Sequence, residues 1–434
     1  MMKDSGVEWI GEIPEEWTVS KLKYIVDTKI TDGPHETPEL VDEGIPFASA
    51  ESVKNGIVNL DFKRGFISEE NHEIFSRKVS PRKRDIFIVK SGATTGSIGI
   101  VETNEIFDIW SPLALVRADE NIVNQKLLYY ILLSDLFKSQ VEVKWSFGTQ
   151  QNIGMGVLEQ IQIPFPSALT EQKAIADFLD SACARFDAAG KLIKGEIDTL
   201  KAYKKSLIYE AVTKGLEAGS ELKDSGVDWI GEIPVGWEVK PIKYIFETVG
   251  SGTTPKSDNE LFYDGELNWI QSGDLYQTDE VVQTSKTLTE LGQQSSSALT
   301  TYEAPFIAVA MYGASIGNLA ISKIDASVNQ AVAVLKDDEI KVRFGKYALS
   351  ASKSELINAG IGGTQPNISQ LLLKNWHLPQ PNLTEQQKIA DYLDEKTKQV
   401  DDIIKIKEAQ LSNLTKQRKS LIYDYVTGKK KLCK

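Results

Sequence analysis

Thr170–Asp180 reads TEQKAIADFLD, and 214 positions later Thr384–Asp394 reads TEQQKIADYLD. Each phrase opens a proline-free stretch of about 45 residues that closes on another shared phrase, KSLIYEAVTKG at Lys205–Gly215 and KSLIYDYVTGK at Lys419–Lys429. Gly190 and Gly195 are the only internal breakers. Leu179, Ala182, Phe186, Ala189, Ile193, Ile197, Leu200, Tyr203 and Leu207 recur at steps of three and four. Leu393, Val400, Ile403, Leu411, Leu414, Leu421 and Tyr425 keep the same helical spacing. The period predicts two amphipathic helices, each roughly 65–70 Å long at about 1.5 Å per residue. A helix of that length with an apolar seam needs a partner, and the simplest partner is its own duplicate. Thr170 with Lys173 and Thr384 with Gln387 mark the helix starts, the second pair at capping-box spacing.

The repetition extends outward. KDSGVEWIGEIPEEW (Lys3–Trp17) returns as KDSGVDWIGEIPVGW (Lys223–Trp237), and GTQQNI (Gly148–Ile153) as GTQPNI (Gly363–Ile368). The landmarks keep one order, so about half the chain is duplicated. The interiors are much less alike: GATTGSIGI (Gly92–Ile100) corresponds only loosely to GASIGNLAI (Gly313–Ile321). RDIFIVKSG, LALVRA, APFIAVAMYG and SVNQAVAVLK have the β-branched and aromatic bias of strands. NQKLLYYILLSDLFKSQ is apolar at helical spacing. Residues 1–163 and 220–378 are therefore expected to form mixed α/β domains, and 164–219 and 379–434 the repeated helical segments.

At 434 residues, 41% hydrophobic and 25% charged, the chain suits two or more globular domains. No apolar run reaches the ~18 residues of a membrane span, and MMKDSGVEWIGE lacks the apolar core of a signal peptide. Cys183 and Cys433 are too few for a disulfide framework or a zinc site. These features predict a cytoplasmic protein. The net charge of −12 is distributed as −8, 0, −8 and +4 over the four segments in chain order. Such acidity argues against nucleic-acid binding, which usually leaves a basic footprint.

No catalytic constellation emerges. GASIG at Gly313–Gly317 fits the nucleophile elbow of serine hydrolases, with Ser315 as nucleophile. The first half has Thr94 in the corresponding place, and only His377 follows Ser315 in the chain. A strand-ending glycine turn is the preferred explanation of the motif. There is no phosphate-cradling G-x-x-x-x-G-K-[ST] loop, no [ND]-P-P-[YF] stretch of amino-methyltransferases, and no pair of histidines at metal spacing. Trp9, Trp17, Trp229 and Trp237, with Pro14 and Pro234 between them, read as anchors against the ends of the long helices. RKVSPRKRD (Arg77–Asp85) is a dense basic run that suits phosphate contacts or a solvated face. TDGPHETPE (Thr31–Glu39) and SGTTPKSDN (Ser251–Asn259) are loops of small residues that can enter a groove or simply turn the chain.

Taken together, the repeated phrases and their order strongly resemble the specificity subunit of Type I restriction–modification systems over essentially the whole chain. The resemblance implies an α+β fold with internal pseudo-twofold duplication: two target-recognition domains separated by two long antiparallel helices forming a coiled coil. It implies that each domain reads one half of a split, asymmetric target in double-stranded DNA. The helices would set the half-site separation and dock two methyltransferase subunits, with restriction subunits in the full complex and no membrane. Catalysis, with S-adenosylmethionine, ATP and magnesium, would belong to those partners, with no cofactor in this chain.

On that resemblance Lys78, Arg82, Lys83, Arg84 and Lys90 are candidate DNA contacts in the first domain, and Thr253, Thr254, Lys256, Tyr276 and Tyr312 in the second. Gln150, Asn152, Gln365 and Asn367 have adenine-pairing amides, but their near-identity in both halves favours a structural cap. Leu179, Phe186, Ile193, Leu200, Leu207, Leu393, Val400, Ile403, Leu414 and Leu421 are the expected coiled-coil positions. Three other readings stand beside this one: a scaffold without DNA readout, a hydrolase built on Ser315, and the specificity chain of a different restriction–modification type.

Overall fold

The computed structural model describes residues 1–142, 146–147, 151–360 and 367–432. The chain forms two units, Met1–Lys194 with Ala409–Lys434, and Gly195–Glu408. Two helices, Leu169–Lys214 and Leu383–Val426, each contribute to both units. In the first unit Phe178 meets Tyr425 with ring centroids 4.6 Å apart, and Asp187 Oδ1 lies 3.3 Å from Arg418 Nε. In the second, Glu196 pairs with Lys407 and Lys204 with Asp401, both at 2.7 Å. Residue numbers rise on one helix as they fall on the other, so the pairing is antiparallel.

Leu179, Leu393 and Val400 are buried in this arrangement, while Phe186, Ile193, Leu200, Leu207, Leu414 and Leu421 are half-buried. Two expected seam positions are wrong: Tyr203 is 54% and Ile403 43% exposed. Around Ile403 the buried positions of the second helix run Leu393, Thr397, Val400 and Ile404. Steps of four, three and four follow the natural 3.6-residue turn, and Ile403 falls one residue off that line. The expected threonine caps are also displaced. Thr170 and Thr384 lie inside their helices, and Asn382 caps the second, its Oδ1 accepting the Glu385 N–H at 3.0 Å.

Each unit carries a twisted sheet of the same strand order. In the first it runs 31–32, 113–116, 86–89, 98–100, 57–58, 53–54, antiparallel except between 98–100 and 57–58. In the second it runs 248–251, 332–336, 306–310, 319–322, 280–281, with only the last pair parallel. Central strands Ile86–Val89 and Phe306–Ala310 are buried at every residue. That explains why they read as unbroken apolar runs rather than alternating ones. A three-stranded sheet accompanies each, with order 108–109, 45–48, 65–67 and 287–288, 263–270, 327–328. The helix expected over NQKLLYYILLSDLFKSQ is two helices, Gln125–Leu133 and Asp135–Glu142. Ser134 breaks it in an extended conformation, its hydroxyl donating back to the Ile131 carbonyl at 2.6 Å.

The shared phrases tie these domains to the long helices. Ile10, Ile13 and Trp17, like Ile230, Ile233 and Trp237, are buried. Trp17 Nε1 donates to Glu171 Oε1 at 3.2 Å, and Trp237 Nε1 to Glu385 Oε2 at 2.9 Å. A Cβ on Gly428 would sit 2.4 Å from Pro14 and 3.3 Å from Trp17, and one on Gly215 3.2 Å from Trp237. Each tryptophan thus wedges between the start of one long helix and the end of the other. The phrase ADFLD/ADYLD has a matching task. Asp180 takes Lys126 and the Tyr130 hydroxyl (2.8 Å), while Asp394 takes Arg343 and the Tyr347 hydroxyl (2.6 Å).

Candidate nucleic-acid interface

Each of the two sheets presents its own loop cluster, built on a matching set of backbone contacts. Asp32 pairs with Ala114 at the edge of the first sheet, and Ser251 with Ala333 at the edge of the second. The next residue is glycine in both. A Cβ on Gly33 would lie 1.9 Å from the Ile109 carbonyl oxygen, and one on Gly252 1.7 Å from that of Val328, so no other residue fits. Lys90 and Met311 follow the central strands. The Lys90 N–H donates to the Pro112 carbonyl at 2.8 Å, and its own carbonyl accepts the Ile153 N–H at 2.7 Å. Met311 makes the same two bonds with Ala331 and Ile368, both at 2.8 Å. The repeated Asn-Ile phrase therefore docks its isoleucine beside this cluster, while Asn152 and Asn367 are exposed. Gln150 and Gln365 lie outside the described residues.

On this common frame the side chains differ completely. In the first domain Lys78 donates to Asp32 Oδ1 and the Gly33 carbonyl, both at 2.8 Å, and Lys90 pairs with Asp32 Oδ2 at 2.8 Å. Burial works to raise the Asp32 carboxyl, but the two lysines outweigh it and hold it below the ordinary carboxylate range. Lys90 is only 8% exposed. In this structure the ammonium of Lys90, a candidate DNA contact, is enclosed in an ion pair that braces the loop, and the more exposed Lys78 pairs with the same carboxylate. His35 reaches the same carboxylate at 3.2 Å. Nearby, the Arg64 guanidinium lies over the Trp110 ring, 4.1 Å from its centroid.

In the second domain Thr254 donates to Gln330 Oε1 at 2.5 Å, and the Tyr312 hydroxyl lies beside the same side chain. Thr254, Lys256 and Gln330 are exposed, and Thr253 and Tyr312 half-buried. Tyr276 is 62% exposed beyond the short helix Ser272–Leu275, its hydroxyl accepting from Gln277 Nε2 at 3.2 Å. It belongs to a different loop from the Thr254–Gln330–Tyr312 group.

Arg82, Lys83 and Arg84 are exposed at the far end of strand 86–89 from Lys90. The five basic candidates thus split between two corners. Asp85, buried there, holds Arg117 through two 2.7 Å bonds, and Arg84 pairs with Glu120 at 2.9 Å. Acidic groups therefore offset much of this basic run. Ser315 sits in a tight turn, its carbonyl accepting the Asn318 N–H at 2.9 Å. His377 lies in a strand paired with Glu238–Pro241, and the glycine-turn reading accounts for GASIG. Asp32, Trp110 and Gln330 were missed from sequence; the signal available was the glycine shared by TDG and SGT.

A family model described as the Type I restriction modification DNA specificity domain matches residues 14–202 and again 234–416. The chain belongs to this family. A putative type I restriction enzyme MjaX specificity subunit from Methanocaldococcus jannaschii is 28% identical, covering 97% of this chain and 95% of the relative. The MjaVIII specificity subunit of the same organism is 27% identical, covering 96% and 93%. Among solved structures, a chain described for complex assembly and conformational transition of the type I R-M system superposes with a TM-score of 0.72 at 14% identity, covering 95% and 98%. The HsdS subunit from Thermoanaerobacter tengcongensis gives 0.50 at 16%, covering 96% and 98%. These likenesses share the fold. This Type I specificity chain therefore carries two specificity domains, and the scaffold, hydrolase and other-type readings are not favoured. Among the described residues, no helix is long and apolar enough to cross a membrane.

Proposed function

We propose that this specificity chain reads a split, asymmetric sequence in double-stranded DNA, one half-site through each loop cluster described above. The observation that carries the reading is a backbone frame fixed by Gly33 and Gly252 with wholly different side chains around it. Recognition of two different sequences requires that combination, whereas a scaffold gains nothing from it. The repeated surfaces around Trp17 and Trp237 would dock two copies of one methyltransferase chain, as an interface presented twice does. S-adenosylmethionine, ATP and magnesium would act in the methyltransferase and restriction chains, with this chain non-catalytic and the complex cytoplasmic. Its net charge of −12 leaves little surface for phosphate neutralisation, so the partners supply much of the affinity. The test is selection from random duplexes at fixed salt, with and without the methyltransferase encoded beside it. Enrichment of a split motif only with both chains supports the proposal; a stable protein complex that enriches nothing overturns it.

A further inference from the structure

Gln330 occupies a position unlike anything around it. It is exposed at the end of the segment that follows strand 327–328, yet its amide is held by Thr254 and flanked by Tyr312. Thr254 donates to Oε1 at 2.5 Å. Burial pushes the Tyr312 hydroxyl above its ordinary range, and the neighbouring Gln330 amide works against that rise. A primary amide has two N–H donors and two lone pairs on its oxygen. With one lone pair of Gln330 engaged by Thr254, a second lone pair and the N–H donors remain available. Adenine presents the complementary pair in the major groove, N7 as acceptor and N6–H as donor.

The equivalent position in the first domain is Ser111, by the matched backbone bonds of Pro112 with Lys90 and Ala331 with Met311. Thr254 and Tyr312 correspond to His35 and Ser91, and Ser111 carries no amide for them to hold. The holder and the held residue have changed together on a constant frame.

We propose that Gln330, positioned by Thr254, reads one adenine in the half-site of the second domain. This rests on the DNA-recognition reading above, and the experiment separates the two. The complex of the full chain with its methyltransferase is assembled with wild type, Gln330→Ala, Gln330→Ser or Thr254→Val, and its methylation targets are mapped by sequencing. A wild-type complex with no split motif sinks the underlying reading before any variant is considered. Given a motif, Gln330→Ala and Gln330→Ser are expected to weaken discrimination at one adenine of one half-site by roughly 10- to 100-fold. The other half-site serves as internal control and stays unchanged. Thr254→Val is expected to relax the same position by a smaller factor. A second half-site unaltered in the Gln330 variants overturns the proposal, as does uniform loss at both half-sites in all three variants.

Discussion

Lys90 and Met311 hold one backbone position with opposite chemistry, and the exchange Lys90→Met tests what the ion pair contributes. The variant leaves Asp32, 7% exposed, with Lys78 as its remaining strong partner. Loss of about 1–3 kcal/mol is expected in chemical denaturation, below the roughly 3–5 kcal/mol for breaking a buried pair because one lysine stays. The acid dependence follows from the same group. Because the folded Asp32 carboxyl is held below its unfolded value, its stabilisation is complete above about pH 4 and disappears as pH falls through the folded value. Carboxyl titration by NMR should place Asp32 below the usual aspartate range, and higher in Lys90→Met; a titration at the ordinary value in wild type would remove this account. At the helix junctions, Trp237→Phe keeps a six-membered ring but loses the 2.9 Å bond to Glu385 and the volume of the fused five-membered ring at a buried site. A cost of about 2–4 kcal/mol is expected, with Glu385→Gln milder because an acceptor remains and no cavity forms.

The long helices were the most legible elements because their signal is local and periodic, and a seam must repeat at 3.6 residues wherever it packs. What the period could not resolve was a one-residue choice between adjacent isoleucines, 403 and 404, since both are apolar. Capping misled for a related reason: threonine at Thr384 fits the motif, but the chain turns two residues earlier, at Asn382. The interface was legible only as loop composition. Asp32 meets Lys78 across 46 positions, and no local pattern announces such a pair. The helix glycines offer a test at this scale. A Cβ at Gly195 meets nothing within 4 Å, and at Gly190 only Leu411 and Leu414 at 3.6 and 3.7 Å. Gly195→Ala and Gly190→Ala should each raise stability by roughly 0.5–1 kcal/mol, read from the denaturation midpoint. A fall in the midpoint for Gly190→Ala would mean that the seam packs more tightly there than these distances indicate.

For the whole molecule, the acidity that first argued against nucleic acid becomes a prediction. The isolated chain should bind duplex weakly, and adding the methyltransferase should steepen the dependence of affinity on salt, because counterion release scales with phosphates neutralised. An unchanged slope in a titration series would place the phosphate contacts on this chain after all. If the helices set the unread gap, one extra turn in both adds about 5.4 Å of helix. The enriched motif should then keep its half-sites and lengthen its gap. A gap that does not move would assign the spacing to the partners.

The division of the helices has a consequence during synthesis. The second unit, Gly195–Glu408, is one uninterrupted run, whereas the first must wait for Ala409–Lys434. At about 5–20 residues per second, residues 1–194 stand for roughly 10–40 seconds without the strand of chain that covers Phe178, Gly190 and Trp17. The earlier-made unit is therefore the later to close. Until then it leaves the ribosome with an open apolar flank, and nascent-chain crosslinking should find chaperones there.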